Sequence, residues 1–124
     1  MYGIFVNENG GVRYAEAIVK GYKPIETRNR NMLAKCVGHN VAIIRTRRGQ
    51  NPMIIGYADM YHSAKMDSKW LDDHRDLTLI PKGSAYDCKP NGSKWCYFLS
   101  DAYECDPMPL PENTIRHGRS YCEF

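Results

Sequence analysis

The chain alternates short apolar runs with polar turn clusters, and the runs follow two different periods. Residues 2–6 (YGIFV) are rich in β-formers and are closed by Asn7-Glu8-Asn9-Gly10-Gly11, which predicts a first strand. Over 12–20 the period changes. Val12, Ala15, Ile18 and Val19 recur near helical spacing and Gly21 stands where a helix should end, so a short amphipathic helix is predicted. Pro24 bars Lys23 from the α region and makes 22–28 extended. Alternation along such a strand puts Lys23, Ile25 and Thr27 on one face and Glu26 and Arg28 on the other, unless a bulge intervenes. Two β-branched runs, 40–46 (NVAIIRT) and 53–61 (MIIGYADMY), flank a polar turn and predict a hairpin. Residues 63–75 predict a further short helix with Trp70 and Leu71 turned inward. Beyond it, 82–93 reads as a turn-rich loop over the barrel and 94–102 (KWCYFLSDA) as a strand. Pro107, Pro109 and Pro111 then form an extended connector, and 119–124 supplies a closing strand. Several short strands, few helices and no internal repeat point to an α+β fold: a small mixed β-barrel with short helices at its rim.

Composition narrows the class. A chain of 124 residues, 43% hydrophobic and 25% charged, suits one globular domain over 1–124. No run approaches the roughly 18 apolar residues of a membrane span, and the N-terminus lacks the basic start and long apolar stretch of a signal peptide; a cytoplasmic location is expected. The five cysteines (Cys36, Cys88, Cys96, Cys105, Cys122) contain no CxxC pair and read as reduced packing thiols. His39, His62, His74 and His117 share no metal-ligand spacing, and neither GxSxG nor a phosphate loop occurs. No metal and no cofactor are expected, and a monomer is favoured.

The net charge of +3 is too small to identify a nucleic-acid binder, but its distribution is uneven. Lys20, Lys23, Arg28, Arg30 and Lys35 crowd one stretch, Arg45, Arg47 and Arg48 a second, and Arg116, His117 and Arg119 a third. The acids gather elsewhere, around 67–76 and 101–106.

The octapeptide Gly21-Tyr22-Lys23-Pro24-Ile25-Glu26-Thr27-Arg28 fits the pattern GxKxxExR directly after a helix ending in glycine. With VAIIRT, a polar turn and IIGYADM following, and WCYFLSDAYECDPMPLP and RHGRSYCEF at the C-terminal end, nearly the whole chain resembles the ASCH family of PUA-like domains. The resemblance implies a PUA-like pseudo-barrel with a cleft beside the signature strand that receives RNA or a modified nucleotide. Functions in that family vary and include hydrolases of acetylated cytidine and ribonucleases. The hydrolase branch has a threonine where this chain has Glu26, so that branch's nucleophile is missing, and Thr27 is one step along the strand and on the opposite face.

The chemistry of the candidates agrees with a binding role. Lys23 and Arg28 offer a mobile ammonium and a planar donor fork for phosphate or a base edge, and Glu26 can orient Arg28 or accept from an amino edge. Thr27 belongs to the same strand. Arg45 extends a basic strip from it, and Ser84 and Tyr86 lie in the loop above. Trp70, Tyr86, Trp95 and Tyr97 are candidate stacking platforms, with Tyr86 favoured by its place in that loop. The first reading is a module binding RNA or a nucleotide-like small molecule. A second is a small hydrolase or ribonuclease with a desolvated Lys23 as general base and Ser84 or Thr27 nearby. A third is a protein-interaction barrel without a ligand.

Overall fold

The computed structural model describes residues 1–124. Seven strands form one mixed sheet: β1 (Tyr2–Asn7), β2 (Ile25–Arg28), β3 (His39–Thr46), β4 (Met53–Asp67), β5 (Ser93–Pro109), β6 (Ile115–His117) and β7 (Tyr121–Glu123). Three short helices accompany them: α1 (Tyr14–Val19), α2 (Ser68–Asp73) and α3 (Arg75–Thr78). The strand order is β2-β5-β4-β3-β1-β7-β6, with β1 and β3 parallel and every other neighbour antiparallel. The ladder does not close. Instead the sheet curls until β2, at one edge, comes within reach of β1: the Arg28 guanidinium donates to the Phe5 carbonyl at 2.7 Å. This is an α+β pseudo-barrel with a polar seam.

Period-two alternation explains how the strands are buried on both sides. Ile4 and Val6 of β1 and Val41 and Ile43 of β3 enter the main core with Ala15, Ile18 and Val19 of α1 and with Met60, Tyr97 and Leu99. Their neighbours Phe5, Ala42 and Ile44 join Ile54 and Cys122 in a second cluster on the other face. A third, Ile25, Leu71 and Cys96, seats α2 on the sheet. Helix α1 reaches the sheet because Gly56 has no side chain: a Cβ there would meet the Tyr103 carbonyl at 2.3 Å and Val19 Cγ1 at 2.6 Å. No helix is long and apolar enough to cross a membrane. All five cysteines are free thiols, and burial pushes Cys36 and Cys96 up to about 11.

The first strand, the helix ending at Gly21 and the 40–61 hairpin lie where the sequence predicts them. Two expectations need correction, and one strand, β6, was not anticipated. Residues 63–67 are not helical but extend β4, because they pair with β5; the helix starts only after Asp67, whose side chain accepts from the Trp70 amide at 2.9 Å. The 107–111 prolines do not mark a connector from their first member on, since β5 runs through Pro109. That part of β5 lies beyond the residues paired with β2, leaving an open edge, and the pairing with β4 jumps in register there; both conditions admit proline into a strand. Finally, β6 is too short to show a period, and Gly118, at φ +60°, turns it back into β7.

Candidate functional site

A cavity of about 450 Å³ opens at the seam, between β1, β2, the β6–β7 hairpin and the loop after α3. Its construction begins at Gly21. With φ +80° this residue ends α1 and lets the amides of Tyr22 and Lys23 return to the Ala17 carbonyl. The turn directs Lys23 inward before β2 begins. Strand alternation therefore does not govern Lys23, and the expectation that it faces away from Glu26 is wrong: its ammonium lies 3.6 Å from the Glu26 carboxylate, and both residues are buried.

Lys23 is fully engaged. Its Nζ donates to the Ile25 carbonyl at 2.8 Å and to the carbonyl of Thr78, the last residue of α3, while the Tyr14 ring covers it at 5.0 Å. Burial pushes the Lys23 ammonium below the ordinary lysine range, and Glu26 opposes that push. Two carbonyls and a carboxylate around one nitrogen call for three protons, so the charged form fits this geometry. Burial alone would raise the Glu26 carboxyl. Arg28 and Lys23, with the hydrogen bonds of Arg28 and the Thr27 amide, hold it below the usual carboxylate range. Arg28 spends Nη2 on Glu26 (3.1 Å) and Phe5, leaving Nε and Nη1 without a protein acceptor.

The other walls carry more cations. Five basic side chains (Lys23, Arg28, Lys94, Arg116, Arg119) line the cavity against one acid, Glu26. Phe5, Tyr14 and Tyr86 supply aromatic surface, with Tyr86 set edge-on to Tyr14 at 5.8 Å. The Arg116 guanidinium lies 5.4 Å over the Phe5 ring. The loop that carries Tyr86 is pinned by Arg75, which reaches the Ile80 carbonyl at 2.9 Å and Asp87 at 3.1 Å, and by the Gly83 amide on Asp87 at 2.7 Å. Tyr86 is thus held over the cavity rather than left to sample space.

Of the residues singled out from the sequence, Lys23, Glu26, Thr27, Arg28 and Tyr86 meet at this cavity. Arg45 does not: β3 reaches the lining through Thr46, and the adjacent residue of a strand points the other way. Arg47 is likewise no part of a basic strip, because it pairs at 2.9 Å with Glu8, whose carboxylate also accepts from the Glu16 amide of α1. Ser84 sits in the turn before Tyr86, its buried hydroxyl without a partner and outside the lining. Tyr97 is wholly buried, its hydroxyl tied to Asn31 at 2.9 Å; Trp95 packs against the core, and Trp70 stacks on His74 at 3.8 Å. Sequence reasoning passed over Lys94 and Tyr14. Lys94 did carry a signal: it stands in phase with Cys96 and Phe98 along β5, a charge on an otherwise apolar face.

The fold and the site together define a class: a small α+β pseudo-barrel with a basic, aromatic-walled cavity at its seam. No protein-family model matches the sequence, and no curated protein matches it. Solved structures do. The chain is similar to the crystal structure of an ASCH protein from Zymomonas mobilis with a serine-to-alanine substitution: TM-score 0.70, 17% identity, covering 96% of this chain and 85% of that one. A second crystal structure of ASCH from the same organism aligns with TM-score 0.63 and 20% identity over 87% of this chain and 73% of that one. A tyrosine-to-phenylalanine mutant gives 0.62 and 20% over 87% and 76%. The chain has the fold of these ASCH structures, the fold that the resemblance of its GxKxxExR segment implies.

Proposed function

We propose that this domain is a binding module for RNA or a nucleotide-like small molecule, which enters the cavity at the seam. The observation that carries the reading is the lining: five basic side chains against one acid, in a space of about 450 Å³ with Phe5, Tyr14 and Tyr86 around it. That volume falls within the roughly 300–1,000 Å³ typical of small-ligand sites. Cations would meet phosphate while the rings would accept a base, and Nε and Nη1 of Arg28 remain as donors without a protein acceptor. The family resemblance carried by the GxKxxExR segment implies an RNA-related role as well. A cytoplasmic, monomeric protein is part of the same proposal.

The general-base role for Lys23 is not favoured. A base needs a lone pair facing its substrate, and the Lys23 nitrogen is occupied by Ile25, Thr78 and Glu26. Titrating the protein with a short RNA pool and a panel of nucleotides and modified nucleosides, at low and moderate salt, tests the binding reading. Saturable binding that survives moderate salt supports it. No binding of any of these ligands leaves the interaction barrel as the account of the fold.

A further inference from the structure

Lys94, near the start of β5, is the one largely buried cation of this cavity without an ion pair. Only 7% of its surface is exposed, yet it forms no hydrogen bond and no ion pair. Its nearest acids are already committed: Glu26 to Arg28, Lys23 and the Thr27 amide, and Asp87 to Arg75 and the amides of Gly83 and Cys88. The Lys94 Nζ keeps contact with the space of the cavity, and an unpaired ammonium in so confined a place is costly unless a ligand completes it. Lys23, which is buried more deeply than Lys94, shows the alternative in the same molecule, with partners on every side.

Position adds the second half of the argument. Arg116 and Arg119 are exposed at the mouth of the cavity, whereas Lys94 is buried in its lining. The neighbouring pocket that shares Lys94, Ile80 and Tyr86 with this cavity, between Leu71, Thr78 and Cys88, holds only about 10 Å³. That is room for about one water molecule and not for a continuing sugar-phosphate chain. An internal phosphodiester needs an exit on both sides. A terminal phosphate needs one.

We propose that Lys94 binds a terminal phosphate monoester at the closed end of the cavity, so that the ligand is a nucleoside monophosphate or the phosphorylated end of an RNA, and not the interior of a strand. This rests on the nucleotide-binding reading above and specifies which part of the nucleotide goes deepest. Lys94 and the free Nε and Nη1 of Arg28 supply the positive charge that a dianionic phosphate requires, while Tyr14, Tyr86 and Phe5 remain for the base.

The test is calorimetric titration of the wild type, Lys94→Met and Lys94→Arg with a nucleoside, its monophosphates, and a short RNA with and without a terminal phosphate. Methionine keeps the apolar stem and removes only the charge. The wild type should bind the monophosphate roughly tenfold to a hundredfold tighter than the nucleoside, the gain expected of a charge-assisted bond out of water. Lys94→Met should lose that gain while keeping the affinity for the nucleoside, and Lys94→Arg should recover part of it. If only the phosphorylated RNA gains, the source is an RNA end; if the free monophosphate gains equally, it is the nucleotide. Phosphate discrimination that persists in Lys94→Met overturns the assignment of Lys94, as does equal binding of phosphorylated and unphosphorylated ligands by the wild type, and in both cases the nucleotide-binding reading still stands. Failure of the wild type to bind any ligand in the set removes both.

Discussion

Two walls of the cavity hold the same kind of residue in opposite states. On the β2 side, Lys23, Glu26 and Arg28 largely satisfy one another: a carboxylate between two cations, with the carbonyls of Ile25, Thr78 and Phe5 taking further donors. On the adjacent strand β5, Lys94 is largely buried without a partner, and Arg116 and Arg119 reach the mouth with no acid beside them. The contrast separates two jobs that a sequence motif conflates. The GxKxxExR residues chiefly build and lock the seam, tying α1, α3, β2 and β1 together, and only the unspent edge of Arg28 is left to meet a ligand. The residues with charge to spare come from β5 and the β6–β7 hairpin.

The sharpest way to break this comparison is to remove Glu26. Glu26→Ala leaves Lys23 and Arg28 buried against each other, and deleting one partner of a buried ionic group costs about 3–5 kcal/mol. Thermal unfolding should show a Tm lower by about 10–20 °C in a chain of this size. A change within about 0.5 kcal/mol, the scale of surface substitutions, would mean that the network is ornamental. The next effect concerns ligand. Arg28→Ala should weaken nucleotide binding roughly tenfold to a hundredfold, and Arg48→Ala, at the exposed hairpin tip, by about threefold or less. Equal losses would indicate diffuse attraction rather than a site.

Lys94→Met sharpens the contrast from the other wall. Burial pushes the Lys94 ammonium below the ordinary lysine range, with Cys88 and Asp87 opposing, so the native state bears the cost of this charge. Removing it should leave the Tm unchanged or raise it. A large loss would show that Lys94 has a structural partner after all. The smallest effect is the pH dependence. The Glu26 carboxyl lies below its unfolded value near 4.5, so its contribution is fully present above that pH and is lost as pH falls through the lower, folded value. The stability difference between wild type and Glu26→Gln should therefore be constant from pH 5 to 8 and shrink as the solution is made more acid, which urea unfolding across pH will measure.

Much of this architecture was legible in the chain because it rests on short-range rules. The apolar runs of β1, β3 and β4, the helical spacing of Ala15, Ile18 and Val19, and Gly21 as a stop all read correctly, and GxKxxExR led to Lys23, Glu26 and Arg28. What failed was decided by pairing between distant segments. Residues 63–67 carry helix-compatible side chains, and only their ladder with β5 makes them strand. The prolines from 107 on read as an extended connector because nothing in the sequence says that β5 has an open edge there. Arg45 was misassigned by one residue, since the period fixes which positions share a face but not which face meets the cavity. Lys94 went unnoticed because its significance is the absence of a partner, and partners are a property of the folded molecule.

The most direct test of the two-wall account is a side-chain NMR titration of the lysine amines with a nucleoside monophosphate, following Lys23 Nζ and Lys94 Nζ in one experiment. The account predicts that the Lys94 signal shifts on binding and its amine becomes harder to deprotonate, while Lys23, held by Ile25, Thr78 and Glu26, stays protonated and scarcely moves. A ligand-induced shift at Lys23 with Lys94 unmoved would contradict it.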